Sequence, residues 1–333
     1  MGRWHADAAR RAGARVVAVV DRDAGRATAL AARHRSARTF GSLDDALAGT
    51  SDGASTRVVH VCTPLASHVP VARAAIDAGC HVLVEKPLCE DSASADALFS
   101  AAAARRLVVC PVHQFLFQPG ALRAAALLPT LGTLRHLEME VASTGADAAG
   151  ADRDAVALEI LPHGLAFAVR LLGPSIASSG WEIMRASAGE LSIGTVHRET
   201  RVSLRISLRG RPPANRLRLV ADEGTIELDL FSGFAVVDRT SASRIMKVVR
   251  PFRSATTLGA AAAGNLVRRA LRAESAYPGL RELVRRFYSA ALGKADAPIA
   301  ADDARAVTAV WSRLRESLTS SAFPVLSARP PLP

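Results

Sequence analysis

The stretch that decides the fold is AGCHVLVEKPL, residues 78–88 of the 333-residue chain. Its centre, residues 81–84 (HVLV), is a short apolar run typical of a strand buried in a parallel sheet. Gly79 in front of it is a typical C-terminal cap of a preceding helix. The tripeptide EKP at residues 85–87 follows directly, at the carboxyl end of the strand, where parallel sheets bind their ligands.

Lys86 stands out within that tripeptide because only three of the 42 basic residues are lysine. An arginine stays charged at any working pH, whereas a buried lysine can give up and take back a proton. A surface lysine in a strand-to-loop turn is the alternative, and the tripeptide alone leaves both readings open.

The sequence on either side of residues 81–84 extends this strand into a parallel sheet. We predict helices at residues 3–12, 24–35, 43–48, 67–78 and 92–105, and further strands at 15–20, 58–62 and 107–110. Strands alternating with helices indicate βαβ units. Asp21, Thr63 and Lys86 each follow a strand, so we expect them at the same edge of the sheet.

The pattern changes after Phe117. Longer strands are predicted at 134–141, 181–187, 200–208, 216–220, 225–230 and 234–237, and helices at 155–172, 257–272, 280–292 and 301–318. We therefore predict an α/β chain with a Rossmann-type parallel-sheet domain at residues 1–117 and an α+β domain with a largely antiparallel open sheet at 118–327. A Pro-rich tail at 328–333 is expected to be disordered.

Composition narrows the possible partners. The net charge of +11 comes from arginines spread along the chain, and the aromatic content of 5% provides few stacking platforms for bases, so we expect no nucleic-acid partner. A basic helix at 280–292 could lie on a membrane, but its arginines are more simply a solvated face, so we expect no membrane partner either.

The four cysteines have neither C-x-x-C nor zinc-ligand spacing, which predicts free thiols and no metal site. The sequence shows no signal peptide and no apolar run long enough to span a membrane. These features favour a cytoplasmic protein.

The beginning of the chain carries part of a dinucleotide-binding fingerprint. That fingerprint runs strand, G-x-G-x-x-G, helix, with an acidic residue about twenty positions on. Gly2 precedes a helix, a strand and Asp21, nineteen residues later, which fits Gly2 as the third glycine. We expect the first strand and the first two glycines to lie upstream, with Met1 an internal methionine of a longer reading frame. A truncated protein that holds its cofactor poorly is the alternative.

Several motifs then follow one another in order: GRWH at 2–5, CTPLASH at 62–68, AGCHVLVEKPL at 78–88 and EILPH at 159–163. Over nearly its whole length the chain resembles the glucose–fructose oxidoreductase/inositol dehydrogenase family, Gfo/Idh/MocA. The resemblance implies an NAD(P)-dependent oxidoreductase that acts on a hydroxyl or carbonyl of a sugar, cyclitol or nucleotide sugar. It also implies a homo-oligomer, because the open sheet of the second domain often forms the interface in this family.

The resemblance also assigns roles to particular residues. It implies Lys86 as the substrate-contacting lysine and His163 as the catalytic histidine, with Glu159 where the family commonly has Asp. The implied cofactor-binding residues are Gly2, Asp21, Thr63, Pro64, His68 and Glu85. His113 and Gln114 are candidate substrate contacts, and polar core or loop residues are an equal alternative for both.

The chemistry explains why these residue types occur. Oxidising an alcohol removes a hydride from carbon and a proton from oxygen, so a base must reach the hydroxyl. His163 suits that task, since histidine titrates near neutrality. Glu159, four residues earlier on a helix, would share its face and could orient the imidazole. A structural hydrogen bond at a helix N-terminus is the alternative for His163.

Asp21 bears on the choice of cofactor. Its carboxylate can accept hydrogen bonds from a free ribose 2′-hydroxyl and would repel a 2′-phosphate, which favours NAD. Arg22 beside it could stack on adenine or tolerate NADP, so NADP stays possible. As a strand-end residue, Asp21 could instead be a turn former. A second hypothesis for the whole chain is a non-catalytic relative that binds a sugar-like ligand or partner without redox turnover.

Overall fold

The computed structural model describes residues 1–35, 37–50, 57–144, 152–239, 244–272, 274 and 276–320, with only the backbone described at 244–248 and 250. It divides into two compact units. The first comprises Met1–Phe117 and Gly279–Thr308, and the second comprises Gln118–Pro278 and Ala309–Pro333. The predicted tail at 328–333 lies outside the described residues.

The first unit alternates helices and parallel strands, as predicted. In chain order these elements are α1 (Gly2–Arg11), β1 (Ala18–Val20), α2 (Ala24–Ala31), β2 (Arg38–Phe40), α3 (Leu43–Gly49), β3 (Val58–Val61), α4 (His68–Asp77), β4 (His81–Val84), α5 (Ser92–Ala104) and β5 (Val109–Pro111). Asp23, Ser42 and Asp91 cap α2, α3 and α5 by accepting backbone N–H bonds, which satisfies donors that have no partner in the helix.

The parallel strands of this unit form two sheets. β1 pairs with β2, and β4 lies between β3 and β5. β4 is fully buried at Val82, Leu83 and Val84, as expected for a central parallel strand covered on both faces. β2 was missed by sequence analysis because its residues, RTF, are largely exposed and carry no apolar pattern.

The second unit contains a seven-stranded mixed sheet. In chain order its elements are α6 (Pro119–Leu127), β6 (Leu134–Ala142), α7 (Arg153–Leu172), β7 (Glu182–Ser187), β8 (Glu190–His197), β9 (Thr200–Ser207), β10 (Ala214–Ala221), β11 (Gly224–Asp229), β12 (Phe234–Arg239) and α8 (Arg244–Leu271). The strand order is β12-β11-β10-β6-β9-β8-β7. Every pairing is antiparallel except β6 with β9, so the predicted fold class, a parallel-sheet domain followed by a largely antiparallel one, is confirmed.

Two elements of this unit differ from the prediction. β8 was missed, although its sequence ELSIGTVH alternates buried and partly exposed residues. α8 begins at Arg244 rather than at residue 257, and it runs through Pro251. Proline normally marks a helix boundary, which explains the late start that the sequence suggested.

Two helices follow, α9 (Leu280–Ala291) and α10 (Ala301–Thr319). Sequence analysis placed the whole of 118–327 in one domain, but residues 279–308 belong to the first unit. The physical reason is the apolar face of α9: Leu283, Val284 and Phe287 are fully buried in the same core cluster as Leu83 of β4. Chain order alone does not reveal where such a face packs.

One described helix, Arg153–Leu172, is long and apolar enough to cross a membrane by length and composition alone. Of the most apolar 18-residue part of this helix, 61% is buried inside the protein, as is usual for a core helix.

Candidate active site

The turn after β4 places Glu85, Lys86 and Pro87 at the carboxyl end of the central strand. The Glu85 backbone N–H donates to the Val61 carbonyl at 2.9 Å, which continues the β3–β4 ladder by one residue. The next peptide, Lys86–Pro87, is cis. Glu85 is buried, and its Oε2 accepts the backbone N–H of Lys86 at 3.2 Å.

Glu85 does not stand alone, because a chain of hydrogen-bonded rings reaches it from α1, β3 and α9. His5 Nε2 lies 2.9 Å from Glu85 Oε1, and His5 Nδ1 lies 3.0 Å from His60 Nδ1. His60 Nε2 in turn lies 3.0 Å from the Tyr288 hydroxyl. We call Glu85, His5, His60 and Tyr288 the ring chain.

The pKa values of the ring chain settle where its charges lie. Burial alone lowers the pKa of His5, but Cys62 and the Glu85 carboxylate outweigh it and raise that pKa to about 9. Burial opposes ionisation of Glu85, yet His5 and Lys86 leave its pKa below the usual value. Burial and the charge on His5 hold the pKa of His60 well below its usual range.

These directions assign every proton in the ring chain near neutral pH. A charged His5 donates from Nε2 to Glu85 and from Nδ1 to His60, so the neutral His60 carries its proton on Nε2 and donates it to the Tyr288 oxygen. Burial raises the pKa of Tyr288, which keeps the phenol neutral. The result is one ion pair, His5 with Glu85, beneath the Lys86 turn.

His68 ties two loops together at this same edge. Its Nδ1 lies 2.8 Å from the Pro87 carbonyl oxygen and its Nε2 lies 2.8 Å from the Thr63 carbonyl oxygen. The side chain is 1% exposed. His68 therefore joins the loop after β3 to the turn after β4, while Thr63 and Pro64 themselves are exposed.

His113 and Gln114 lie just beyond β5 and are both buried. His113 Nδ1 and Gln114 Oε1 have no hydrogen-bond partner among the described residues. Burial and the charge of Lys86 lower the pKa of His113 to about 4, with Glu85 opposing, so its imidazole is neutral at pH 7. Buried polar atoms without partners are costly, and a bound polar ligand is one way to satisfy them.

The predicted adenosine end of the site lies at β1 and α1. Asp21 follows β1, and its Oδ1 accepts the N–H of Asp23 at 3.0 Å, which orients the carboxylate. Arg22 is exposed. Gly2 begins α1, and a Cβ there would lie 3.6 Å from Leu30, an ordinary contact, so packing within the unit does not itself require glycine.

Glu159 and His163, the predicted catalytic residues of the second half of the chain, belong to the second unit. Both lie on α7, where His163 is buried and Glu159 is exposed. Pro162 between them lies inside the helix, which begins at Arg153, two residues before the predicted start at 155. Pro162 has no N–H to donate to the carbonyl four residues back. That carbonyl, on Leu158, accepts the indole N–H of Trp311 at 2.8 Å instead.

Sequence reasoning missed three members of the ring chain: His5, His60 and Tyr288. His5 was part of the quoted GRWH motif, but no sequence signal connects it to Glu85, 80 positions away. His60 offered a weak signal, a polar residue within the apolar run VVHVC at 58–62. Among the described residues, no group of three or more His, Cys, Asp or Glu could hold a metal ion.

Comparison with known proteins matches the first part of the chain to a family. Residues 1–113 match the model of a family described as "Oxidoreductase family, NAD-binding Rossmann fold", GFO_IDH_MocA. Residues 1–113, about a third of the chain, are thus similar to the Gfo/Idh/MocA oxidoreductase family. The predicted resemblance is confirmed, and the matched region contains the Lys86 turn, the His68 contacts and three members of the ring chain.

Two curated relatives illustrate the range of the family. A UDP-N-acetylglucosamine 3-dehydrogenase of Acidithiobacillus ferrooxidans is 35% identical over 148 residues, which cover 42% of each chain. An inositol 2-dehydrogenase of Leifsonia xyli subsp. xyli is 49% identical over 83 residues, 25% of this chain and 23% of that protein. The chain thus spans less than half the length of these relatives.

Solved structures share the fold over a longer stretch. The UDP-N-acetylglucosamine 3-dehydrogenase of Acidithiobacillus ferrooxidans has a TM-score of 0.71 at 22% identity, covering 95% of this chain and 93% of that one. The WlbA dehydrogenase of Bordetella pertussis, solved with NADH and UDP-GlcNAcA, has a TM-score of 0.70 at 15% identity over 94% and 92% of the two chains. At such identities the likeness establishes the fold.

Proposed function

We propose that this protein is an NAD(P)-dependent oxidoreductase that transfers a hydride between the nicotinamide and a hydroxyl or carbonyl group of a sugar, cyclitol or nucleotide sugar. The observation that carries the proposal is the Lys86 turn. A lysine follows the central buried strand, and the carboxylate before it is fixed by a buried ion pair with His5.

The residues of the first unit fit a nicotinamide dinucleotide. The oriented carboxylate of Asp21 suits the ribose hydroxyls and favours NAD, with NADP possible beside Arg22. Glu85 has both oxygens held, one by His5 and one by the Lys86 N–H, so a ribose hydroxyl would meet a carboxylate that is already oriented. Bound NAD supplies the hydride acceptor.

The protein's own residues then handle the substrate oxygen and its proton. Lys86 holds the oxygen and moves its proton, and the neutral His113 and Gln114 offer polar atoms to neighbouring hydroxyls. His163 as general base, with Glu159 as its orienting residue, stays a prediction that needs its own variants. These roles need no metal.

Titrating the chain with NADH and following the nicotinamide fluorescence tests the cofactor step. Screening sugars, inositols and nucleotide sugars for reduction of NAD then tests turnover. Binding and turnover together support the proposal. Saturable sugar binding without NADH binding would instead support the non-catalytic alternative.

We also propose a homo-oligomer in the cytoplasm, without a nucleic-acid partner. The sheet of the second unit supports self-association, since its exposed side carries charges of both signs, such as Arg205 opposite Glu140 at 3.8 Å, next to the exposed Met184 and Val196. The four free cysteines suit a reducing compartment. Light scattering and cell fractionation test these statements, and a monomer or an exported protein would contradict them.

A further inference from the structure

Helix α8 has its apolar face turned away from the unit that carries it. Asn265 is buried and donates from Nδ2 to the Ser232 carbonyl at 2.9 Å. Arg269, four residues on, donates from Nε to the Glu274 carbonyl at 3.1 Å. Polar side chains therefore make these two contacts between α8 and its own unit.

The opposite side of α8 carries an apolar stripe. Residues 249, 252, 256, 259, 263, 266 and 270 follow one another at spacings of three or four, which places them on one side of a helix. Five of the seven are apolar (Val249, Phe252, Ala263, Leu266 and Ala270), and the other two are Thr256 and Gly259. Within and beside this stripe, Phe252 is 74% exposed, Leu266 70%, Val267 58% and Leu271 83%. This is the reverse of a surface helix that buries its apolar face against the core.

Among the described residues of its own unit, none covers the middle of α8. All ten residues from 251 to 260 are exposed. An added Cβ at Gly259 or Gly264 would meet nothing within 4 Å. An isolated helix rich in solvated alanine and containing two glycines is marginal in water, since most helical stability in proteins comes from packing. A further surface is needed to cover the stripe.

The positive charge of α8 indicates what kind of surface could cover the apolar stripe. Residues 244–272 contain seven arginines or lysines and no acidic residue, with four basic residues at 244–253 and three at 268–272. A second copy of this helix laid antiparallel would bring like charges together at both ends. An anionic lipid surface can cover the apolar stripe, which would lie at the depth of the headgroups. It also attracts the basic side chains on either side of the stripe.

We propose that α8 is an interfacial helix that docks this protein on an anionic phospholipid membrane. Phe252, Leu266, Val267 and Leu271 enter the headgroup region, and Asn265 and Arg269 fix the helix to the second unit. The cytoplasmic leaflet, which carries the anionic lipids, is the expected surface. This docking replaces the expectation from composition that the protein has no membrane partner.

Co-sedimentation of the full chain with vesicles tests the proposal. Vesicles of phosphatidylcholine with phosphatidylserine should pellet the protein, pure phosphatidylcholine vesicles should do so weakly, and added salt should release it. Phe252→Ser combined with Leu266→Ser should weaken binding at least about tenfold. Both positions are exposed, so circular dichroism and thermal unfolding should match the wild type.

A matched control is Leu292→Ser, which removes an equally large leucine, 52% exposed, from the end of α9. It should leave vesicle binding unchanged, whereas Leu266→Ser alone should lower it. Equal loss in both variants, or no wild-type binding to anionic vesicles, would overturn the proposal. So would a dimer that Phe252→Ser and Leu266→Ser convert to a monomer without any vesicle binding, since a second copy would then cover the stripe. None of these readouts depends on NAD or on turnover.

Discussion

The indole N–H of Trp311 donates to the backbone carbonyl of Leu158 at 2.8 Å, across 153 positions of the chain. Pro162, directly before the predicted catalytic His163, has no N–H to donate. The carbonyl of Leu158, four residues earlier, therefore receives no hydrogen bond from within the helix. The buried bond thus allows a proline to lie within α7 without leaving a buried carbonyl unsatisfied.

Trp311→Phe should lower the free energy of unfolding by about 1–3 kcal/mol beyond its packing loss, because the Leu158 carbonyl then has no donor. In a Pro162→Ala background this extra loss should shrink, since the new N–H of residue 162 can serve the same carbonyl. Urea unfolding of the four proteins gives the coupling free energy.

Trp181→Phe provides the control for that cycle, because Trp181 also donates to a carbonyl, that of Ile176 at 3.0 Å. The losses in free energy of unfolding caused by Trp181→Phe and by Pro162→Ala should therefore be additive in the double variant. Additivity of Trp311→Phe with Pro162→Ala would show that the two residues do not share the Leu158 carbonyl.

The buried ion pair of His5 and Glu85 predicts how stability depends on pH. The pKa of His5 is raised from 6.5 to about 9, so its contribution is fully present below pH 6.5 and is lost as the pH rises through about 9. The pKa of Glu85 is lowered from 4.5, so its contribution is present above pH 4.5 and is lost as the pH falls below that value. Both contributions are present together between about pH 4.5 and pH 6.5, so the free energy of unfolding should be greatest there.

Glu85→Gln should cost about 3–5 kcal/mol at pH 7, because it removes one partner of a buried pair. It should also reduce, without abolishing, the loss of stability between pH 6.5 and 9, because Cys62 raises the pKa of His5 more than Glu85 does. Urea unfolding at a series of pH values measures this loss. Glu282→Gln is the control, because hydrogen bonds from Arg285 and Arg286 lower the pKa of the Glu282 carboxyl to about 2. This variant should leave the loss of stability between pH 6.5 and 9 unchanged. A loss of stability between pH 6.5 and 9 that is unchanged in Glu85→Gln would show that Glu85 does not raise the pKa of His5.

Two glycines on helices should respond in opposite directions to the same substitution. A Cβ on Gly120 would lie 2.5 Å from the backbone carbon of Phe234, where α6 presses on β12, so Gly120→Ala must move backbone and should destabilise by about 1–3 kcal/mol. Gly259→Ala meets open space on α8 and should stabilise by up to about 1 kcal/mol. Thermal unfolding compares the two variants, and equal shifts would refute the close approach at Gly120.

Lys86→Ala should lower turnover by about 10²–10⁴-fold and leave NADH affinity nearly unchanged, because the lysine is assigned to the substrate oxygen. Lys86→Arg keeps the charge but does not release its proton at working pH, so it should recover substrate binding more than turnover. Steady-state kinetics and NADH fluorescence separate these effects. Equal loss of NADH binding and turnover in Lys86→Ala would assign a structural role to the residue.

The sequence by itself determined the fold class, the position of β4 and the Lys86 turn. These features are local: an apolar run bounded by glycine and proline specifies a buried strand and its end, and ordered motifs identify the family over residues 1–113. The sequence also located α7 and α9 closely, since a continuous apolar periodicity reports a helix wherever it packs.

The tertiary structure alone decided which distant residues meet. It placed α9 in the first unit, joined His5, His60 and Tyr288 to Glu85, and paired Trp311 with the carbonyl freed by Pro162. It also turned the polar side of α8 inward, so that its apolar stripe faces outward. The physical reason is common to all of them: periodicity shows that a side chain has an apolar or polar face to satisfy, but the partner that satisfies it is chosen by packing across many positions of the chain.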